Sequence, residues 1–327
     1  MVGNGFDENL KIMRKTILIL AFLAVLVLPA CNTNTHNDNR LIIATLRGPS
    51  SVGMIKMIDS LSVIAQSDIE ICIFNEPMQV RKMMLEGSAD FAVLPTTMAA
   101  LIYNKGVDYQ LVGVPIWGTL YLCGIGDTIG SWQQLRGSKV YLMAKGMNPD
   151  ILFRYLLVRN GLEPYVDVAL DYRFPTHIDL ANATMAGRAP LSVISEPFLS
   201  QALNTNKALH IFLDLSDEWT ASEGMPLPET AFVCRSAVDD SSCAKVVEAY
   251  KQSVEWVVAH PDSAALLSAK HGINPDTLAL LNSVGRSHFK FMKTTEIKTI
   301  VTNYLQVFYN LDPQTIGDQM PDERFFR

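Results

Sequence analysis

Short apolar runs alternate with segments of helical periodicity along the chain from position 41 onward. Apolar, strand-like runs occur at Leu41–Leu46, Ile69–Phe74, Phe91–Leu94 and Leu111–Trp117, and helices are predicted between them at Val52–Val63, Pro77–Leu85 and Thr97–Asn104. Strands that are apolar on both faces are typical of a sheet covered by helices on both sides. The alternation therefore predicts an α/β fold built on a mostly parallel sheet flanked by helices.

A second round of the same alternation follows the first. Strands are predicted at Val140–Met143, Val166–Leu170 and Leu191–Ile194, with helices at Asp150–Arg159, Ile178–Met185 and Pro197–Leu203. The region after Ser242 is predicted to be helical. Its last long helix carries an apolar stripe at steps of three and four residues, which must pack on another element: Ile297, Ile300, Val301, Tyr304, Leu305 and Phe308.

The two rounds share a sequence echo about a hundred residues apart. Gly87-Ser-Ala-Asp-Phe-Ala-Val-Leu-Pro-Thr-Thr is answered by Gly187-Arg-Ala-Pro-Leu-Ser-Val-Ile-Ser-Glu-Pro, each reading as a turn, a strand and a helix start. Chance similarity of common small residues is the alternative. Two similar lobes facing each other would enclose a cleft lined by the ends of strands and the starts of helices.

The predicted lobes are discontinuous along the chain. The first lobe comprises residues 41–116 plus 214–327, and the second comprises residues 117–213. The chain is expected to cross between them near Trp117 and again near Phe212–Leu215, so each crossing would act as a hinge.

The amino end carries a pattern typical of export. Lys11, Arg14 and Lys15 precede the apolar run Ile17–Leu28, which is followed by Leu28-Pro-Ala-Cys31. A helix over 16–30 would span about 22 Å, short of a bilayer core of about 30 Å, so a signal peptide over residues 1–30 is favoured. The ending resembles the lipobox of bacterial lipoproteins, which predicts acylation of Cys31 and a polar tether over 31–40. Met1 and Met13 both remain possible starts.

Charge and cysteine content narrow the function classes. The 327-residue chain has a net charge of −6 and no block of Lys and Arg, which argues against nucleic-acid binding. The remaining cysteines, Cys72, Cys123, Cys234 and Cys243, show no metal-ligand spacing, so neither a metal nor a cofactor is predicted. A disulfide between Cys234 and Cys243 is left open, because export would permit it.

No nucleophile elbow, phosphate-binding loop or zinc-protease motif occurs in the sequence, which favours binding without turnover. Candidate binding residues lie instead at the corners where strands lead into helices. Their alternative roles are structural, since serines cap helices and Glu196 complements a helix dipole. The predicted ligand-binding residues are Arg47, Ser50, Ser51, Thr96, Thr97, Trp117, Lys145, Gly146, Met147 and Glu196.

Several segments resemble the solute-binding proteins of ABC importers, in the branch that handles nitrate, sulfonates, taurine and the pyrimidine precursor of thiamine. They include Leu46-Arg-Gly-Pro-Ser-Ser, the two echoed segments, Leu135-Arg-Gly-Ser-Lys-Val and Lys145-Gly-Met-Asn-Pro-Asp. The resemblance implies a type II periplasmic-binding-protein fold with two interlobe crossovers, whose corner residues hold the ligand.

The same resemblance implies a function at the bacterial envelope. A lipid-anchored, extracytoplasmic monomer would bind a small polar or heterocyclic solute and deliver it to a membrane permease that works with an ATPase. Two alternatives remain. One is an enzyme of the same fold, akin to the pyrimidine-synthesising branch, whose cysteine-rich motif this chain lacks. The other is a sensory or scaffold lipoprotein.

Overall fold

The computed structural model describes residues 40–64, 68–126 and 129–327. The predictions for the signal peptide, Cys31, the two candidate starts and the tether as far as residue 39 lie outside these residues. Residues 41–327 form one compact unit that contains two separate sheets. We call each sheet, with the helices that pack on it, a lobe.

The order of elements follows the predicted alternation, with four further strands that were not predicted, at Leu120–Ile125, Leu209–Asp214, Thr230–Arg235 and Phe289–Lys293. The last of these corrects the prediction that the region after Ser242 is helical throughout. The strands are β1 Leu41–Leu46, β2 Ile69–Phe74, β3 Phe91–Pro95, β4 Tyr109–Ile116, β5 Leu120–Ile125, β6 Lys139–Tyr141, β7 Ala169–Asp171, β8 Leu191–Ser195, β9 Leu209–Asp214, β10 Thr230–Arg235 and β11 Phe289–Lys293. The helices are α1 Pro49–Gly53, α2 Ile55–Ser62, α3 Pro77–Leu85, α4 Thr96–Asn104, α5 Asn148–Arg159, α6 His177–Met185, α7 Phe198–Thr205, α8 Leu215–Glu223, α9 Asp240–Ala259, α10 Pro261–Lys270, α11 Thr277–Arg286 and α12 Thr294–Leu311.

Both sheets are mixed, with most strands running in one direction, as the predicted α/β fold requires, and a minority reversed. The first has the order β11-β4-β10-β3-β1-β2, and the second has the order β7-β6-β8-β5-β9. In the first sheet β10 and β11 run against the other strands, and in the second sheet β5 alone is reversed. The reason is the path of the chain: β5 and β10 each enter their sheet from the other lobe, so they start at the edge where neighbouring strands end.

The echoed segments occupy equivalent positions in the two sheets. Strand β3 pairs in parallel with β1 and antiparallel with β10, while β8 pairs in parallel with β6 and antiparallel with β5. Each of the two strands is followed by a helix that starts at the same edge of its sheet. The two lobes are therefore built on the same local plan.

Helix α12 packs its apolar stripe into the core, as the three-and-four spacing predicts. Ile297, Val301, Tyr304, Leu305 and Phe308 are fully buried. The helix packs mainly against β4 and α4 of the first lobe and also reaches α5 of the second. The indole of Trp219 on α8 lies beside both lobes, 5.5 Å from the ring of Tyr155 and 5.4 Å from that of Tyr304.

The second crossover comes later than expected. Helix α8 packs against β5 and β9 of the second sheet, although the predicted boundary at residue 214 assigned it to the first lobe. The chain returns to the first sheet only at β10, after the segment 224–229. The predicted division into domains otherwise remains a prediction.

Cys234 and Cys243 are both free thiols. Among the described residues, no helix has the length and apolar character needed to cross a membrane.

Candidate functional site

A cavity of about 790 Å³ lies between the two lobes. The first lobe contributes the ends of β1, β3 and β4 and the start of β10. The second lobe contributes the start of β5, the end of β8 and the first residues of α5 and α6. Strands β5 and β10 run against their neighbours, so their first residues lie at the same edge of the sheet as the last residues of those neighbours. The cavity is therefore lined both by the starts and by the ends of strands.

Six of the ten predicted binding residues line this cavity. They are Arg47, Ser50, Thr97, Gly146, Met147 and Glu196. They come from strand-to-helix corners in both lobes, which is where parallel strands and the helices that follow them meet. Ser51, Thr96, Trp117 and Lys145 are not part of the lining.

Ser51 and Thr96 are buried by local structure. The Ser51 hydroxyl accepts a hydrogen bond from the backbone N–H of Gly48 at 3.1 Å, which holds the turn into α1. The Thr96 hydroxyl donates to the carbonyl oxygen of Pro228 at 2.6 Å. Both side chains are fully buried, so they shape the corners without reaching the cavity.

Trp117 and Lys145 also point to other partners. The Trp117 indole N–H donates to the carbonyl oxygen of Lys290 at 2.6 Å and ties the first crossover to β11. The amino group of Lys145 lies 5.3 Å from the ring centroid of Tyr172, in cation–π geometry. Neither group is therefore placed to contact a ligand in this cavity.

Arg47 lies at the cavity rim with its guanidinium group already bonded. Its Nε donates to Asn75 Oδ1 at 2.8 Å, and an Nη donates to the carbonyl oxygens of Gly272 and Ile273. These bonds join the loop after β1 to the loop between α10 and α11. The side chain thus stabilises the rim.

Glu196 links the two lobes. Its carboxylate accepts hydrogen bonds from the backbone N–H and hydroxyl of Ser200, at 3.1 and 2.9 Å, and pairs with the Arg286 guanidinium of α11 at 3.3 Å. Burial raises the pKa of the Glu196 carboxyl group, against the lowering effect of Ser200 and Arg286. The carboxylate lines the cavity but has strong partners of its own.

Glu229 is the principal site residue that the sequence analysis missed. Its Oε1 accepts a hydrogen bond from the Thr119 hydroxyl at 2.5 Å, and its Oε2 is buried without a partner. Burial raises the pKa of the carboxyl group to about 7, although the hydrogen bond from Thr119 acts in the opposite direction. The hydroxyl of the adjacent Thr230 is also buried and unpartnered.

The position of Glu229 explains why it was missed. It directly precedes β10, whereas most of the predicted binding residues follow the carboxyl ends of strands or begin the helices after them. A reversed strand presents its first residue to the cleft. The sequence feature that indicates it is the single acidic residue of Pro228-Glu229-Thr230, at the start of an apolar strand.

His177 is a second missed residue of the cavity wall. Its Nδ1 lies 2.9 Å from the Ser195 hydroxyl, and its ring stacks on Phe198 with a centroid distance of 5.9 Å. Burial lowers the pKa of His177 to about 4, so the imidazole is neutral near pH 7. It offers the cavity a hydrogen-bonding ring without a positive charge.

A separate pair joins the end of β9 in the second lobe to the residue before β11 in the first. His288 Nε2 lies 2.8 Å from Asp214 Oδ2, and this hydrogen bond raises the pKa of His288. The pKa of Asp214 is lowered: burial opposes the shift, but the contact with His288 prevails. Asp217 joins them to bring three ligand-type atoms within 4.8 Å of one another, a grouping that the sequence analysis did not anticipate.

Comparison with protein families and curated proteins gives one match. Residues 129–283 match a family described as "Menaquinone biosynthesis". No curated protein matches the chain.

Solved structures give much broader similarity. An ABC transporter protein from Parabacteroides distasonis is 28% identical, with a TM-score of 0.79 over 89% of this chain and 99% of that one. The periplasmic aliphatic sulphonate binding protein SsuA from Escherichia coli is 18% identical, with a TM-score of 0.69 over 86% and 90%. The alkanesulfonate-binding protein SsuA from Xanthomonas axonopodis pv. citri, bound to MOPS, is 15% identical, with a TM-score of 0.65 over 87% and 95%. The resemblance predicted from the sequence is confirmed, and the chain has the periplasmic-binding-protein fold of the solute-binding proteins of ABC transporters.

Proposed function

We propose that this protein is the solute-binding component of an ABC importer. It captures a small polar or heterocyclic solute between its lobes and delivers the solute to a membrane permease and its ATPase. The observation that carries the proposal is the cavity of about 790 Å³ lined by side chains of both lobes. Ligand pockets typically measure about 300–1,000 Å³, so this volume suits a small molecule.

Capture follows from contact with both walls at once. A ligand shifts the balance between open and closed lobes only if it binds the closed form more tightly. His177 and Ser195 on the wall of the second lobe and Thr97 and Glu229 on the wall of the first give such a ligand polar contacts on both sides. The permease would then recognise the closed, loaded form.

The cellular setting in this proposal is extracytoplasmic. The neighbours include periplasmic binding proteins, and the predicted lipobox would acylate Cys31 and hold a monomer on the bacterial envelope. Replacement of Cys31 by serine should move the protein from the membrane fraction to the soluble fraction. Retention in the membrane fraction would contradict the anchor.

The binding function is tested by a thermal-shift screen against small anions, sulfonates, pyrimidines, amines and vitamins. A ligand at 100 times its dissociation constant stabilises the folded state by about 2.7 kcal/mol, which is readily measured. We expect at least one compound to raise the melting temperature and to be recovered unchanged. Absence of any stabilising compound would count against a receptor role.

An enzyme is the second candidate, because the match to the menaquinone-biosynthesis family spans 129–283 and includes His177 and Glu196 of the cavity wall. Mass spectrometry of the ligand after incubation separates the two functions. A changed mass that depends on His177 would establish turnover, whereas unchanged recovery supports binding alone.

A further inference from the structure

We propose that Glu229 selects the ligand, and that the ligand is an amine or an N–H heterocycle on an apolar body rather than a sulfonate or nitrate. The inference rests on the proposed binding function and deepens it. It assigns a ligand class to the cavity and names the residue that determines it.

Unpartnered polar atoms mark the position. Ten side-chain nitrogen or oxygen atoms in the described part of the chain are buried without a hydrogen-bond partner. Only Glu229 Oε2 and Thr230 Oγ1 among them belong to residues of the cavity lining. A buried polar atom left unpaired costs free energy, so a ligand that pairs with it gains that energy on binding. Glu229 Oε2 calls for a donor, which an N–H group supplies.

The charge of the lining points the same way. Among the described residues that line the cavity, Glu76, Glu196, Glu229 and Asp312 carry carboxyl groups, and Arg47 alone is cationic. The Arg47 guanidinium is bonded to Asn75 and to the carbonyls of Gly272 and Ile273. His177 is neutral near pH 7. Among these residues carboxyl groups outnumber the one cationic side chain, Arg47, which is held at the rim by hydrogen bonds to neutral oxygen atoms, so the lining disfavours an anion.

Three of the helix starts at the cavity are also poorly suited to anions. Helices bind anions through free N–H groups of the first turn. Here α1 and α3 begin at Pro49 and Pro77, and Pro149 is the second residue of α5, so each has lost one such donor. The N–H of Gly48 is taken by the Ser51 hydroxyl.

The rest of the wall accommodates an apolar body. Proline rings and long apolar side chains occupy much of the lining between the polar groups. They include Leu46, Met78, Met98, Met147, Ile178 and Phe198. Such walls favour the burial of a ring or chain, while Glu229 fixes its polar end.

The experiment is isothermal titration of the full chain with four probes at about pH 8, where the Glu229 carboxyl group, with its pKa of about 7, is mostly ionised. 4-Aminopyrimidine and benzamidine supply N–H donors on apolar rings, and ethanesulfonate and nitrate supply anions. The test variant is Glu229→Gln, which keeps the shape of the side chain, and the matched control is Glu163→Gln, an exposed carboxylate outside the lining. Melting curves without probe establish that both variants are folded.

We expect an N–H probe to bind the wild-type protein and both anions to fail. Glu229→Gln should weaken the binding of that probe roughly 10- to 100-fold, since hydrogen bonds to charged groups fall in that range. Glu163→Gln should retain wild-type affinity. Because benzamidine is a cation, its affinity should fall more in Glu229→Gln than that of neutral 4-aminopyrimidine.

Three results would overturn the inference: tight binding of the sulfonate or nitrate, no binding of either N–H probe, or equal affinity in wild-type and Glu229→Gln protein. Each leaves the receptor function standing if the wider thermal-shift screen finds another ligand. Failure of that screen as well would remove the receptor function itself.

Discussion

Glu229 makes the stability of the fold sensitive to pH. Its pKa is raised from an ordinary 4.5 to about 7, mainly by burial, with His288 lowering it and Asp214 raising it. The folded state therefore holds a proton that the unfolded state releases between these values. This contribution to stability is complete below the ordinary pKa and is lost as pH rises through about 7.

The first prediction is that Glu229→Gln removes this loss. The difference in unfolding free energy, variant minus wild type, should be more positive at about pH 8 than at about pH 5 when both are measured with urea. Glu76→Gln serves as the control because its carboxylate is exposed. A constant difference between Glu229→Gln and wild type across this range would show that the carboxyl group titrates normally.

The second prediction concerns Glu196. Sequence reasoning expects Glu196→Ala to weaken ligand binding without loss of stability. The structure changes that expectation, because the buried carboxylate is bonded to Ser200 and Arg286. The Arg286 side chain is 30% exposed, so solvent offsets part of the loss, and we expect destabilisation of about 1–3 kcal/mol.

Denaturant melts of Glu196→Ala check this value. Glu163→Ala, which removes an exposed carboxylate, provides the reference. Unchanged stability of Glu196→Ala with a large loss of ligand affinity would restore the original expectation. The sequence pattern placed Glu196 and Arg47 at the cavity. It could not show that their partners are Arg286 and Gly272, because these residues lie far away along the chain.

At the scale of elements, the first crossover depends on the absence of a side chain at Gly118. A Cβ built there would lie 1.6 Å from the Ser216 hydroxyl oxygen. The third prediction is that Gly118→Ala destabilises the protein by at least about 2 kcal/mol, because the clash involves the start of α8 as well as the crossover.

Thermal or urea unfolding measures this effect. Gly285→Ala within α11 is the matched control, since a Cβ there meets nothing within 4 Å. Alanine should stabilise that helix by up to about 1 kcal/mol. Equal stability of the two alanine variants would mean that the crossover relaxes easily and that Ser216 can move away.

Most helices and strands could be predicted from the sequence, because burial of one face or of both faces requires apolar residues at regular spacing. Strand direction could not. The orientation of β5 and β10 follows from the route by which the chain changes lobe, and no local pattern records that route. Helix α8 was assigned to the wrong lobe for the same reason, since its contacts with β5 and β9 depend on where the chain turns back.

At the scale of the whole molecule, the contacts that join the lobes include two at residues lining the cavity. Arg286 of α11 pairs with Glu196, and the Tyr304 hydroxyl of α12 donates to Asn148 Oδ1 at 2.5 Å. Asn148 itself lines the cavity. These contacts would stabilise the closed arrangement, which is the form that retains a ligand.

The fourth prediction is that Tyr304→Phe weakens ligand binding several-fold, about the effect of 1 kcal/mol, while the ring packing is preserved. Titration calorimetry with a ligand found in the screen measures it, and small-angle scattering reports any opening of the lobes. Tyr309→Phe on the same helix is the control. Unaltered affinity in Tyr304→Phe would exclude this hydrogen bond from lobe closure.

Trp219 provides an internal optical reporter of lobe movement. Its indole contacts Tyr155 of the second lobe and Tyr304 of the first, so a change in the angle between the lobes alters the surroundings of the fluorophore. A chain that keeps Trp219 and carries phenylalanine at Trp117, Trp132 and Trp256 would confine tryptophan emission to this junction. The protein thus contains the elements of an optical sensor for its own cargo, with no attached dye.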